Sequence, residues 1–274
     1  MSYKMIVLDL DGTVINSSGR ISSRTRAAVR AARDAGLLVL VATGRRLRSA
    51  LPYVRELGLE GPSIFCNGAL TVDLSTWHSL DRTPMGQDGS LVVSNWLDMG
   101  LAPLICRHDL KGPDLLYHIP VRSAPDWMGT DVEQGHLGHT SDPVADAAEA
   151  LKLMLAAPER VAHELGASVG AFGRTMITYD GDGEALLEVW RRDVTKAYAI
   201  QRLAGGAGIE RREIIAFGDN VNDVELLSFA GMGVAMGNAV PEAMAAARLI
   251  CAACDEDGVA GVLESLVAPL PMAM

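Results

Sequence analysis

Cysteine, positive charge and long apolar runs are all in short supply in this 274-residue chain, and each shortage closes off a class of protein. Four cysteines, Cys66, Cys106, Cys251 and Cys254, are too few for a disulfide framework at this length. The spacing of CAAC matches a redox motif, but the pair follows the apolar run RLI and reads as small thiols packed at a strand end. Basic residues number 24 against 34 acidic ones, a formal net charge of −10, which argues against a general nucleic-acid binder. An anionic ligand therefore needs a local positive site. No stretch is uniformly apolar for the length of a membrane span, and the apolar residues near the start are too few for a signal peptide. The expectation is a cytoplasmic protein with neither membrane nor nucleic acid as partner. No internal repeat or low-complexity tract is visible.

What is present is a regular alternation of strand-type and helix-type segments at both ends. KMIVLDL, LLVLVATG and PSIFCNG read as strands separated by the helical SRTRAAVRAARDAG and RLRSALPYVRELG. Strands so continuously rich in Val, Ile and Leu are expected where helices cover both faces of a parallel sheet. The texture returns with TKAYAIQRLAGGAG (helix), EIIAFGD (strand), VNDVELLSFAG (helix), GVAMG (strand), PEAMAAA (helix) and RLICAA (strand). Between them the pattern changes to Gly, Pro and Asp clusters. Two helix signals, SLVVSNWLDMG and PERVAHELG, stand there among the strand candidates APLICRH, DLLYHIP, ALKLMLAA, TMITYD and ALLEVW. The reading is an α/β protein: a doubly wound parallel-sheet core from residues 1–83 and 189–274, and an inserted α+β domain from 84–188. GHLGH, with His136 and His139, reads as a surface loop rather than a metal clip.

In a doubly wound sheet, ligands sit beyond the carboxyl ends of the strands. The first strand ends in Asp9 and Asp11, which strand alternation puts on one side; the second ends in Thr43, and a later one in Asp219 of GDNVND. Lys196 opens a helix. Crowded carboxylates need a cation, a shared proton or a chemical task. All of these residues have a use if the ligand is a phosphate ester. Oxygen ligands suit a hard cation such as Mg²⁺, and an ionised carboxylate beside it can attack phosphorus to give an aspartyl-phosphate. Lys and Thr donors suit the equatorial phosphoryl oxygens, and the second acid of the pair can pass a proton to the leaving oxygen. Lysine occurs only four times, so a lysine at this position points to a need for a compact charge.

Together DLDGT, ATGR, Lys196, GDNVNDVELL and AMGNA resemble the four motifs of the haloacid dehalogenase (HAD) superfamily of phosphohydrolases. The insertion between the Thr and Lys motifs resembles the Cof-like branch with a type IIB cap. The resemblance implies a Mg²⁺-dependent phosphohydrolase acting on small phosphorylated metabolites. Asp9 would be the nucleophile and Asp11 the general acid/base. Thr43 and Lys196 would bind the transferring phosphoryl group, with Gly44, Arg45, Asn67 and Asn222 in the phosphate pocket. The metal would be held by Asp9, the backbone carbonyl of Asp11, and Asp219, with Asp223 in support. Asp223 also has a bland use as an acid in the first turn of a helix. The family usually has Gly after the motif Lys, and this chain has Ala197.

Two other functions use the same residue types. One is a phosphotransferase or mutase on this scaffold, in which a substrate hydroxyl replaces water. The other is a receiver-type binding module, which the DxD pair on the first strand and the long insertion disfavour. Arg45, Arg46, His108, Lys111 and His118 could face the cleft, though each also has an ordinary surface reading. Closure of the inserted domain over substrate, excluding water, is the expectation for a cap joined to its core by two crossings.

Overall fold

A computed structural model describes residues 3–118, 134–179 and 183–267. The first part of the chain runs β1 (Met5–Leu8), α1 (Ser23–Asp34), β2 (Leu38–Val41), α2 (Leu47–Glu56), β3 (Pro62–Phe65), β4 (Leu70–Asp73) and β5 (His78–Arg82). The middle holds α3 (Gln87–Asp98), β6 (Leu104–Cys106), β7 (Leu115–Tyr117), β8 (Leu137–His139), α4 (Pro143–Ala148), β9 (Lys152–Pro158), α5 (Glu159–Val169), β10 (Gly173–Tyr179) and β11 (Glu184–Arg191). The last part holds α6 (Lys196–Gly206), β12 (Ile214–Gly218), α7 (Val224–Phe229), β13 (Met232–Ala235), α8 (Pro241–Ala246), β14 (Leu249–Ile250) and α9 (Gly258–Val267). The chain divides into two compact units: Met1–Leu80 with Thr195–Met274, and Asp81–Val194.

In the first unit five parallel strands lie in the order β14-β13-β12-β1-β2. Met5 pairs with Ile214 on one side and with Leu38 on the other, so the N-terminal strand sits in the middle of the sheet. Every residue of β1 is fully buried, which is why its sequence is an unbroken apolar run. From β1 the chain winds outward through β2, and from β12 it winds the opposite way through β13 and β14. The reversal lies between β1 and β12, and a crevice opens at such a point beyond the strand ends. α6 and α7 bury Ala199, Ile200 and Leu226 against Val7, Leu40 and Ala216. α1, capped by the Ser22 hydroxyl accepting from the Thr25 N–H, packs on α9.

Several elements depart from the sequence-based reading, among them β4, β5 and α4, which none of the segments named above anticipates. β3 is not a full member of the parallel sheet. It meets β2 through the single bridge Ala42–Ile64 and pairs antiparallel with β4 in a separate sheet, β3-β4-β5. The cause is the turn Cys66–Asn67–Gly68, whose three residues all have positive φ (50°, 57° and 109°) and fold the chain back at once. α9 was not expected, because two glycines in GVAGVLESLV mask its helical period. GHLGH is not a loop: Leu137–His139 is β8, parallel to β7.

The second unit is a six-stranded sheet, β10-β11-β9-β6-β7-β8, antiparallel except for the β7–β8 pair. Alternation decides its covered face: Leu153, Leu155, Leu187 and Val189 pack with Trp96 of α3 and Leu165 of α5. On the other strand parity, Lys152 and Glu188 form a buried ion pair between β9 and β11.

Candidate active site

Asp9 follows β1 directly, and its N–H still donates to the Phe217 carbonyl (3.1 Å), so its backbone continues the sheet. The residue is 5% exposed. The chain then turns sharply, with the Val14 and Ile15 N–H groups donating to the Leu10 carbonyl. Gly12 is required here twice over. Its φ is +72°, and a Cβ would lie 2.3 Å from Asp219 Oδ2. This close approach lets the buried Thr13 hydroxyl donate to Asp219 Oδ1 (3.2 Å).

Lys196 is the first residue of α6, whose N-cap Thr195 accepts from the Tyr198 N–H (3.0 Å). A buried cation at a helix N-terminus is opposed by the helix dipole and needs carboxylates to hold it. Two are supplied. Lys196 Nζ donates to Asp9 Oδ1 (2.6 Å) and to Asp223 Oδ1 (2.7 Å). The other oxygen of Asp223 accepts from the N–H groups of Asp219 and Asn220 (both 3.2 Å), so this acid is both a cap and a lysine partner. Gly68 sets the approach of α6, since a Cβ there would stand 2.3 Å from the Thr195 carbonyl oxygen.

Carboxylate oxygens of Asp9, Asp219 and Asp223 lie within 4.8 Å of one another. Burial pushes the Asp9 carboxyl well above its ordinary value against the pull of Lys196, and Asp223, Asp219 and Asp11 push it the same way. Asp219 is raised to about 7, chiefly by burial and then by Asp223, against the Thr13 hydrogen bond and Lys196. Burial works against the Lys196 ammonium, yet Asp223 and Asp9 outweigh it and hold the proton more tightly than usual. Three acids and one ammonium leave the cluster short of positive charge. An all-oxygen donor set with that deficit fits a hard divalent cation.

A prediction follows for the metal-free protein. An acid whose folded pKa exceeds its unfolded value binds an extra proton in the folded state, and the associated stability is lost as pH rises through the folded pKa. For Asp219 the relevant window runs from 3.8 to about 7. At about 1.4 kcal/mol per pH unit the upper bound is roughly 4 kcal/mol, reduced by solvent because the side chain is half-buried. In EDTA, Tm should fall between about pH 5.5 and about pH 8, and added Mg²⁺ should raise Tm more at the higher pH, where its ligands are ionised. Equal metal-induced shifts at both pH values would contradict this account of the cluster.

The other expected site residues form two smaller groups. Asp11 is exposed, beyond the end of β1, and is not one of the three acids whose carboxylate oxygens lie together, though its charge still acts on Asp9 and Asp219. Its carboxylate is held by Arg45, Nε to Oδ2 at 2.8 Å and Nη2 to Oδ1 at 2.6 Å. Thr43 is fully buried, and its hydroxyl accepts from the Arg45 N–H (3.1 Å). The Thr43 carbonyl accepts from the Asn67 N–H (3.0 Å), and Asn222 Nδ2 donates to Asn67 Oδ1 (2.9 Å). That leaves Asn67 Nδ2 and Asn222 Oδ1 buried with no partner among the described residues, beside Gly44.

The sequence matches the model of the haloacid dehalogenase-like hydrolases over residues 6–263. The chain belongs to this family. It is 27% identical over 268 residues to the 5-amino-6-(5-phospho-D-ribitylamino)uracil phosphatase YitU of Bacillus subtilis (strain 168), covering 95% of this chain and 96% of that one. It is 26% identical over 287 residues to the pyridoxal phosphate phosphatase YbhA of Escherichia coli (strain K12), covering 97% and 99%. A haloacid dehalogenase-like hydrolase from Bacteroides thetaiotaomicron superposes with a TM-score of 0.80 at 26% identity, over 97% of this chain and all of the other. The fold is also that of the HAD subclass IIB sugar phosphatase BT4131, with a TM-score of 0.75 at 24% identity over 96% and 98%.

This HAD phosphatase, a phosphoric monoester hydrolase, carries two further polar residues on its motif turns to which sequence reasoning gave no role. Thr13 orients Asp219. Asn238 donates to the Gly12 carbonyl (2.8 Å) and accepts from the Cys254 N–H (2.8 Å), tying the turn after Asp11 to the C-terminal segment. Both stand inside the quoted motifs DLDGT and AMGNA, which was the available signal. Ala197 packs its methyl against the core cluster of the first unit. Both thiols of the CAAC pair are free, and burial pushes both up, Cys251 to about 11, which disfavours the thiolate; the Cys251 Sγ lies 3.6 Å from Met236 Sδ. Among the described residues the only group suited to hold a metal is the aspartate cluster, and the His139 ring stacks instead edge-on to Tyr117. No helix of the described residues is long and apolar enough to cross a membrane.

Proposed function

We propose that the protein removes phosphate from small phosphorylated metabolites, sugar phosphates or phosphorylated cofactors, through an aspartyl-phosphate on Asp9. The observation that carries this reading is the contact of Lys196 Nζ with Asp9 Oδ1 at 2.6 Å inside the cluster with Asp219 and Asp223. Lys196 aims one Asp9 oxygen and leaves the other to attack phosphorus. As the Asp9 oxygen–phosphorus bond forms, the bond to the leaving oxygen breaks, and that oxygen takes a proton from the carboxyl of Asp11. Water then attacks phosphorus and gives a proton back to Asp11, and the phosphorus–Asp9 bond breaks to release phosphate.

Mg²⁺ is the cation proposed, with Asp9, Asp219, Asp223 and the Asp11 carbonyl as its holders; when bound it supplies positive charge to the phosphoryl oxygens and the Asp9 carboxylate. The unpaired amide donor of Asn67 suits a phosphate oxygen, as do the Thr43 hydroxyl and the Lys196 ammonium. Asn222 fixes Asn67, and Gly44 leaves room beside it. The substrate class rests on the relatives, whose names give a ribitylamino-uracil phosphate and pyridoxal phosphate as their substrates. The unit Asp81–Val194 is proposed as the cap that selects among them.

The test is phosphate release across a panel of sugar phosphates and phosphorylated cofactors, with Mg²⁺ added and with EDTA, ranked by kcat/KM. Metal-dependent release, with a phosphate adduct trapped on the Asp9 peptide after acid quench, is expected. Phosphate passed to an acceptor alcohol without free phosphate would identify a transferase instead. A stable adduct with no turnover would identify a receiver-type module.

A further inference from the structure

We infer that Asn238 is a positioning residue for the turn after Asp9: it fastens that turn to the C-terminal segment Cys254–Asp257 and so fixes the backbone that presents the Asp11 carbonyl. The inference rests on the metal-dependent phosphatase reading proposed above and gives a task to a side chain outside the three-aspartate cluster.

Residues 10–22 join β1 to α1, carry Asp11, and set Gly12 and Thr13 against Asp219. Within this loop Val14, Ile15 and Ile21 are buried, whereas Ser17–Arg20 are exposed. One C-terminal turn clasps it at Gly12, Ser17 and Ser22. The Gly12 carbonyl accepts from Asn238 Nδ2 (2.8 Å), and Asn238 Oδ1 accepts from the Cys254 N–H (2.8 Å). The N–H and hydroxyl of Ser17 both donate to Asp255 Oδ1 (3.0 and 2.9 Å). The Ser22 hydroxyl donates to Asp257 Oδ1. The Gly237 N–H donates to the Ala252 carbonyl (3.2 Å), which brings Cys254 alongside Asn238.

Of these three points, the one at Gly12 lies next to the proposed metal-holding backbone. Gly12 follows Asp11 directly, and it stands so close to Asp219 that a Cβ there would collide. A shift of the Gly12 peptide therefore moves the Asp11 carbonyl relative to Asp219. Asparagine suits this post because one amide supplies both the donor for Gly12 and the acceptor for Cys254. Alanine supplies neither. Asn238 is itself exposed, where a substitution changes stability little, so the use of the bridge is geometric.

The test uses Mg²⁺ alone. In calorimetric titration of metal-free protein, Asn238→Ala should bind Mg²⁺ about tenfold more weakly than the wild type, the loss found when a group that orients a metal ligand is removed. Amide hydrogen exchange in the metal-free variant should quicken in residues 10–22, because a loosened loop opens more often. In phosphate release, the Mg²⁺ concentration giving half the maximal rate should rise by the same factor, and the rate should recover at saturating Mg²⁺. Glu264→Ala removes the pair with Arg24 (2.9 and 2.7 Å) that ties α1 to α9 outside the loop, and should leave Mg²⁺ affinity as in the wild type. Unchanged Mg²⁺ affinity in Asn238→Ala, an equal rate loss at every Mg²⁺ concentration, or an equal weakening in Glu264→Ala would overturn the inference and leave the phosphatase reading standing. Wild-type protein that neither binds Mg²⁺ nor releases phosphate from any ester of the panel would sink that reading and take this inference with it.

Discussion

Asp9→Asn should abolish turnover without weakening the fold. An amide cannot accept the phosphoryl group, so kcat should drop by at least about 10³-fold, the scale seen when a covalent nucleophile is removed. Stability should move the other way. Burial and the surrounding acids hold the Asp9 carboxyl well above its ordinary value, which means that its ionisation opposes folding near neutral pH. Asn removes that opposition, and Lys196 keeps its second partner, Asp223. In metal-free buffer the Tm of the variant should therefore equal or exceed that of the wild type, read by thermal shift beside a phosphate-release assay. A variant that is both inactive and strongly destabilised would show Asp9 to be a structural acid. Retained turnover would remove it from the nucleophile role.

Lys196→Met should cost both activity and stability. Its side chain is 1% exposed and pairs with two carboxylates that are themselves 7% and 0% exposed. Removing one member of a buried ion cluster strands the others, a loss of about 3–5 kcal/mol. The sign of its pH dependence is fixed. With the ammonium gone, Asp9 loses the one pull that favours its ionisation in the folded protein, so the deficit should grow as pH rises and shrink as it takes up a proton. Urea titrations at about pH 5.5 and about pH 8 should show the larger deficit at the higher pH. Lys196→Arg should not rescue activity, because a planar fork does not fit a site shaped for a compact charge. A deficit independent of pH would mean that the loss is one of packing alone.

These effects differ because the acids differ, and that difference was only partly legible beforehand. The apolar runs of β1, β2 and β12 announce themselves, since burial on both faces leaves no polar residue inside the strand. Their terminal acids are marked by the same rule. The alternation argument does not extend to Asp9 and Asp11, because it holds within a strand and β1 ends at Leu8. PSIFCNG reads as a further parallel strand until the positive φ values of Cys66, Asn67 and Gly68 send it into a hairpin. Asn67–Gly68 is a pair that favours left-handed turns and was an available signal for the hairpin, whereas nothing in the residue type of Cys66 announced its conformation. His139 and its neighbours were too short and too glycine-rich for period-2 patterning to register as a strand.

Read alone, the sequence determined which residues could do chemistry and which strand or helix ends would present them, because periodicity and turn residues act over a few positions of chain. It also determined the family resemblance that the match over residues 6–263 then established. Only the tertiary structure decided partnership: Lys196 with Asp9 and Asp223, Arg45 with Asp11, Thr13 with Asp219, and Asn238 with Gly12. Those partners lie 27 to 226 residues apart in the chain. No local preference can choose among carboxylates at that range. The choice is made by sheet order, which sets β1 beside β12, and by two glycines that let backbone and side chain approach where a Cβ would collide.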